Sequence, residues 1–276
     1  MPEHPMRLDR MTWPEVGAHL EAGGGVILPT GSTEQHGPMG LIGTDTFCAT
    51  HVAERAAALC GAIVAPALGY TPAPFNTAFP GTLSLPEPLF EAVAGAVLAG
   101  LHRQGFARIY VLNGHGANLA PLRRAIGALG DAPIRLRSWW DFAEVGALRT
   151  GLYSAWEGMH ATPSEVAITM ATERQPPIPP EAHTPPRLLD AAYIAAHAGD
   201  RHGPPEVHRR DFPDGRVGSH SALARPEHGA RLLALAAGAL AADYTAWAGA
   251  NVDESRPEAA SPAAREGWAN ASASEG

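Results

Sequence analysis

The chain of 276 residues has only two cysteines, carries 17% charged residues, and sets 20 Lys and Arg against 28 Asp and Glu for a formal charge of −8. Each shortage excludes something. Cys48 and Cys60 fall on a segment that reads as one helix, roughly 18 Å apart along its axis, too far to pair with each other. The acidic balance, with no basic face or stripe, argues against nucleic acid as partner. A small molecule or peptide is the expected one. No window approaches the roughly 18 apolar residues of a membrane helix, and "MPEHPMRLDRMTWPEV" has no apolar h-region, so the chain reads as cytosolic with no membrane partner. Its 45% hydrophobic content is that of a globular protein. One domain is expected over residues 1–250, while residues 251–276, small, polar and Pro-containing, read as a disordered tail.

What is present alternates strands with helices. "TWPE" (Thr12 to Glu15) has the capping-box form, and the helix it opens should stop at Gly23, Gly24 and Gly25. "VILPTG" (Val26 to Gly31) reads as a buried strand, followed by a helix from about Thr46 to Cys60 and a second strand, "AIVAPAL" (Ala62 to Leu68). Past a long loop come a helix over Leu89 to Gln104, a strand and turn in "ARIYVLNGHGAN", a helix over Leu119 to Leu129 and a strand in "IRLRSWW". "RQPPIPPEAHTPPR" (Arg174 to Arg187) reads as a Pro-rich connector or flap and "RHGPPEVHRRDFPDGRVGSH" as a polar loop. "PEHGARLLALAAGALAADYTAWAGA" reads as a terminal helix. This order predicts an α/β fold with a mainly parallel sheet flanked by helices. Ligands in such folds gather at the carboxyl ends of the strands.

Three groups of polar residues fall at those ends. In "GSTEQHGPMGLIGTD" (residues 31–45), Glu34, His36 and Asp45 offer oxygen and nitrogen ligands that Zn²⁺, Mn²⁺ or Fe²⁺ accept, and a carboxylate such as Asp45 can bridge two ions. The structural alternative has Asp45 capping the next helix and the other two solvated in a turn. In "NGHGAN" (Asn113 to Asn118), Gly114 and Gly116 permit a sharp turn that leaves His115 exposed at a strand end, as a ligand or an acid/base group. In "GMHATPSEVAITMAT", Thr162, Pro163 and Glu165 read as N-cap, first-turn proline and capping-box glutamate. His160, two residues before that cap, would stand at the positive end of a helix, where a neutral imidazole is favoured.

"PTGSTEQHGPMGLIGTD", "FPGTLSL", "NGHGAN", "HATPSE" and "GRVGSHSALARPEHG" follow one another in an order and spacing that closely resembles the creatininase (creatinine amidohydrolase) family, over about residues 8 to 250. The resemblance implies a three-layer α/β fold and a metal-dependent amidohydrolase, hexameric as a trimer of dimers, with two divalent ions at the rim of the sheet, zinc, manganese or iron. By motif match, Glu34 and His115 bind one ion, His36 the other, and Asp45 bridges them. Creatininases carry a Glu two residues after the third motif's His, where this chain has Ala117, so the resemblance makes Glu165 the candidate for the missing carboxylate. Met39 stands in place of the His usual in "EQHGPH", and Asn76 in place of another. These departures count against creatinine as the substrate.

The chemistry implied is hydrolysis of a C–N bond in a small amide, cyclic or open-chain, or a formamide. Coordination lowers the pKa of a bound water towards neutrality. Backbone amides around Gly116 and Ala117, or the second ion, would stabilise the developing oxyanion, and His160 would protonate the departing nitrogen. Trp139, Trp140 and Trp156 read equally as walls of a pocket or as core and interface aromatics. A peptidase like the creatininase homologue of mycofactocin maturation is the nearest alternative; a metal-free binding or scaffold homologue is a third.

Overall fold

A computed structural model describes residues 7–250, with the side chains of 248–250 excepted; the expected tail of 251–276 lies outside the described residues. The chain opens with α1 (Trp13–Glu21), for which the Glu15 carboxylate accepts from the Thr12 N–H at 2.7 Å, closing the capping box. β1 (Val26–Thr30) follows, buried at all five positions. α2 (Thr44–Cys60) ends on Gly61, whose φ of +75° is the left-handed turn that glycine adopts without strain. β2 is only Ile63–Val64: Pro66 has no N–H for a ladder, and the chain touches the sheet again only where Leu68 bridges Thr30.

α3 (Glu87–Arg103) leads to β3 (Ile109–Asn113), then α4 (Leu119–Gly127) and β4 (Ile134–Ser138). The second half is helical: α5 (Ala143–Tyr153), α6 (Pro163–Thr172), α7 (Ala191–Ala196), α8 (Pro205–Asp211) and α9 (Pro226–Ala250). The sequence reading has no counterpart for α5 or α7, and it makes the α8 stretch a polar loop. Two prolines, Pro204 and Pro205, start α8 where missing N–H groups cost nothing.

All strands are parallel, in the order β2-β1-β3-β4. Side chains alternate across the sheet, so Val26, Leu28, Ile109 and Val111 face a core shared with Phe90 and Leu98 of α3 and Leu122 of α4. Ile27, Tyr110 and Leu112 face the other core, with α2, α5, α6 and α9. The result is helix, sheet, helix: an α/β fold in three layers. Cys48 and Cys60 are both free on α2.

The register places Thr30, Asn113 and Ser138 side by side at the carboxyl end. The Thr30 hydroxyl donates to Asn113 Oδ1 at 3.1 Å and Asn113 Nδ2 donates to Ser138 Oγ at 3.3 Å. This buried polar row is the floor on which the candidate site stands.

Candidate metal centre

Glu34, His36, Asp45, His115, His160 and Glu165 all come to this rim, and all are buried. The loop after β1 delivers the first two. Asp45 enters not as a helix cap, since Gly43 holds that position, but from inside the first turn of α2. The capping alternative is thereby corrected. Its Oδ2 accepts from Ser32 Oγ at 2.8 Å and lies 3.1 Å from His115 Nδ1, while Oδ1 lies 2.9 Å from His36 Nε2. One carboxylate therefore faces two imidazoles with two different oxygens. Gly114 lets the chain pass this close, because a Cβ there would sit 2.4 Å from the Asp45 carbonyl oxygen.

Each imidazole is anchored through its far nitrogen. His36 Nδ1 bonds the Glu34 carbonyl at 3.1 Å, and His115 Nε2 bonds the Pro72 carbonyl at 2.8 Å. A carbonyl can only accept, so the proton sits there and the lone pairs at His36 Nε2 and His115 Nδ1 turn towards the carboxylates. Glu34 Oε2 accepts from Asn76 Nδ2 at 2.9 Å, whereas buried Oε1 has no hydrogen bond although it lies 3.1 Å from His115 Nδ1. Glu165 Oε1 accepts from the Thr162 N–H at 2.5 Å, completing the capping box, and the same oxygen is 3.8 Å from His36 Nε2. The structural and the ligand readings of Glu165 are thus compatible in one side chain.

Three sets of side chains have ligand atoms within 4.8 Å of one another: Glu34, Asp45 and His115; His36, Asp45 and Glu165; and Glu34, His36 and His160. The donors fit a divalent cation. They are carboxylate oxygens and imidazole nitrogens with their lone pairs converging, and one buried oxygen has nothing else to bond.

The electrostatics without a cation are those of crowded charge. Burial works against a charged His36, but Asp45, Glu165 and Glu34 overcome it and raise its pKa to about 10. His115 is raised in the same way, burial being overcome by Glu34 and Asp45. Burial pushes Glu165 up, to about 8, with the Asp45 charge adding to it and His36 opposing. Asp45 is held well below the usual carboxylate range: burial opposes its charge, and the two histidines outweigh burial. His160 alone among these histidines is lowered, by burial first and by the His36 charge.

His160 is clamped by a segment whose purpose the sequence leaves open. "GRVGSHS" pairs with it: Met159 N–H donates to Val217 O at 2.9 Å, Ser219 Oγ donates to the His160 carbonyl, and Ser221 Oγ donates to the Ala161 carbonyl at 2.6 Å. This holds Ala161 at φ +56°, a backbone conformation unfavourable for a residue with a Cβ. His160 Nε2 lies 2.7 Å from the Gln35 carbonyl, with the side-chain amides of Gln35 and Asn76 at 3.0 and 3.2 Å, and Nδ1 faces Glu34 Oε1 at 3.6 Å.

A cavity of about 210 Å³ covers the centre, lined among others by Asp45, His115, His160, Glu165, Trp139 and Trp140. Trp156 is not among its walls; its ring packs on His220 at 5.7 Å. Met39, read as facing a substrate, is instead 2% exposed in a core with Val166, Ala167 and Met170. Asn76 does not line that cavity either; it orients Glu34 and accepts from Gln35 Nε2 at 2.7 Å. Sequence reasoning missed Gln35 and Asp200. Asp200, at a left-handed φ of +54°, lines the cavity and brings Oδ2 to 3.7 Å from His115 Nδ1. Nothing periodic marks it in "HAGDRHG".

The profile of the creatininase family, described as creatinine amidohydrolase, matches residues 9–244. The creatinine amidohydrolase of Pseudomonas putida is 29% identical over 180 residues, covering 58% of this chain and 69% of that protein. Shorter stretches, each 38% of this chain, are 36% identical to the 3-dehydro-scyllo-inosose hydrolase of Thermotoga maritima and to the mycofactocin precursor peptide peptidase of Mycobacterium tuberculosis. They span 34% and 45% of those proteins, less than half of either. A solved manganese creatininase superimposes with a TM-score of 0.69 at 25% identity, over 88% of this chain and 98% of that one. With the family profile spanning almost all of the described residues and the fold shared end to end, the chain belongs to the creatininase (creatinine amidohydrolase) family.

Proposed function

We propose that the chain is a dinuclear metal-dependent amidohydrolase, a single catalytic domain over residues 1–250, that cleaves a C–N bond of a small amide or formamide. The family profile and the Pseudomonas putida relative support a hydrolase of C–N bonds outside the peptide class. The observation that carries the two-ion reading is Asp45, whose separate oxygens face His115 and His36 at 3.1 and 2.9 Å. Glu34, His115 and one oxygen of Asp45 would hold one ion; His36, Glu165 and the other oxygen would hold the second. Zinc or manganese suits such carboxylate and imidazole donors, and iron(II) is also accommodated.

When bound, two such ions supply an acidified water and polarise an amide carbonyl. The chain's own residues do the rest. His160, its pKa lowered by burial, lines the cavity with Nε2 held near the Gln35 carbonyl and Nδ1 3.6 Å from Glu34 Oε1. Nδ1 can take a proton from the attacking water and give it to the departing nitrogen, which is a poor leaving group until protonated. Trp139 and Trp140, in edge contact at 5.6 Å, narrow the cavity and exclude water from it. Soluble, cytoplasmic action as a homohexamer is part of the same reading; among the described residues no helix is long and apolar enough to cross a membrane.

A second reading, trimming of a short peptide, is favoured by one feature. A larger cavity of about 830 Å³ adjoins the first, sharing Gly116, Leu119, Gly199 and Asp200 as walls, and Ala117 opens onto it. Metal-loaded protein assayed against lactams, ureides, formamides and short peptides separates the two. Turnover of peptides alone would replace the amidohydrolase reading. Elemental analysis tests the centre itself: two equivalents of zinc or manganese per chain are expected, and less than half an equivalent after loading would end the dinuclear proposal.

A further inference from the structure

Asp200 reaches the centre from a segment that carries none of the motifs. It follows α7, and Gly199 at φ +74° and Asp200 at φ +54° form a consecutive left-handed pair that sets its backbone over the rim. Its side chain is 12% exposed, faces no Lys or Arg among the described residues, and makes no hydrogen bond there. The nearest groups are His115 Nδ1 at 3.7 Å from Oδ2 and His202 Nε2 at 3.8 Å from Oδ1, both beyond hydrogen-bond reach. Burial works against the charge of this carboxylate, and in the metal-free protein His202, His115 and His160 outweigh it and lower its pKa.

His115 Nδ1, the ring nitrogen not spent on the Pro72 carbonyl, faces Glu34 Oε1 at 3.1 Å, Asp45 Oδ2 at 3.1 Å and Asp200 Oδ2 at 3.7 Å. Three carboxylate oxygens surround one imidazole nitrogen. The room for the third depends on Gly116, where a Cβ would stand 2.2 Å from Asp200 Oδ2. Asp200 lies outside the 4.8 Å set of Glu34, Asp45 and His115 and approaches it through His115 Nδ1.

We propose that Asp200 is a fourth metal-facing group, completing the Glu34, Asp45 and His115 set, so that binding of this ion also draws the segment 190–204 down over the centre. The inference rests on the two-ion reading above. It makes the two sets unequal: one would offer four protein groups to its ion and the other three.

The test uses the full chain, stripped of metal and titrated with Zn²⁺ against a chelator, together with hydrogen exchange of residues 190–204. In the wild type two equivalents bind and exchange in 190–204 slows. Asp200→Asn, which removes the charge and keeps the shape, should bind one ion as before and the other about 10- to 100-fold more weakly, the usual cost of losing a partner at a metal site. Zn²⁺ should then no longer slow exchange in 190–204. Gly116→Ala, which leaves the carboxylate intact but pushes it away, should weaken the same ion in the same direction. Wild-type affinity for both ions in Asp200→Asn, or unchanged Zn²⁺-dependent protection of 190–204, overturns the assignment of Asp200 and leaves the two-ion centre standing. A wild type that takes up no second equivalent removes both together.

Discussion

The loop 31–45 and the segment 190–215 both bring acidic groups to the same cavity, yet they are held in opposite ways. Ser32, Glu34, His36 and Asp45 are bonded to one another, to Asn76 and to the sheet rim, and each is at most 3% exposed. The 190–215 segment is bonded mainly to itself. Tyr193, His197, His202, His208 and Phe212 pack ring against ring in succession, and Phe75 packs on His202 and His208. Both ring nitrogens of His202 and Nε2 of His208 are buried with no hydrogen-bond partner among the described residues. Burial first, then the neighbouring His202 and His160, lowers His208 to about 3, so His208 packs as a neutral aromatic. One wall of the site is built before any ligand arrives; the other is a cover of aromatic rings and histidines that brings Asp200 to the cavity.

The largest effect should come from breaking the built wall at its shared point. Asp45→Ala should cost both ions, leaving under one equivalent after loading and no measurable turnover, whereas Glu34→Ala or His36→Ala should mainly weaken one. Retention of two ions in Asp45→Ala would show that no bridge exists at this position.

Next is His160, held by the built wall but serving the reaction instead of the metal. His160→Ala should keep its metal and lose about 10²- to 10⁴-fold in turnover, the range for one acid/base group. A substrate whose leaving group needs no proton should lose far less. Equal loss on both kinds of substrate would assign His160 to binding.

The charge compressed into the built wall should also be legible as pH-dependent stability of the metal-free protein. His36, raised from 6.5 to about 10, contributes stability fully below pH 6.5 and loses it as pH climbs through 10; His115 is raised in the same direction. Glu165, raised from 4.5 to about 8, likewise favours the fold at lower pH, and Asp45, depressed, changes only in acid. The Tm of metal-free protein should therefore fall between pH 6.5 and 10. Zn²⁺ needs the deprotonated ligands, so the loaded protein should lack this fall and the gap between the two should widen with pH. Parallel Tm curves would contradict the picture.

The smallest effect should be at Met39. Because it packs with Val166 and Met170 and not on the cavity, Met39→His should bury an unpartnered imidazole at a cost of about 1–3 kcal/mol in stability. Metal content and substrate preference should be unchanged. A shift in selectivity would mean that residue 39 reaches the substrate after all.

Local grammar was readable wherever a motif is set by near neighbours. The capping boxes at Thr12 and Thr162, the buried run Val26–Thr30, the glycine stop at Gly61 and the placement of Glu34 and His115 just past strand ends depend on neighbours within a few residues, and each could be read from short stretches. The helical cover was not readable in the same way. α7 and α8 are six and seven residues long, too short to display a periodic face, and they lie among prolines that signal a loop.

The sequence by itself determined that this is a parallel α/β chain with carboxylates and histidines gathered at one end of its sheet, because strand order and strand-end motifs follow from backbone geometry and hydrophobic period. Only the tertiary structure decided which of those groups meet. Whether Glu165 faces His36 depends on how α6 packs against α2, and whether Met39 points to the core or the cavity depends on the same packing. That Asp200 closes on His115 over Gly116 is a contact between residues 85 positions apart, made by a left-handed turn and a room left by one missing Cβ. Such contacts lie beyond the reach of any local pattern, since they are selected by the fit of whole elements and not by the preferences of the residues that make them.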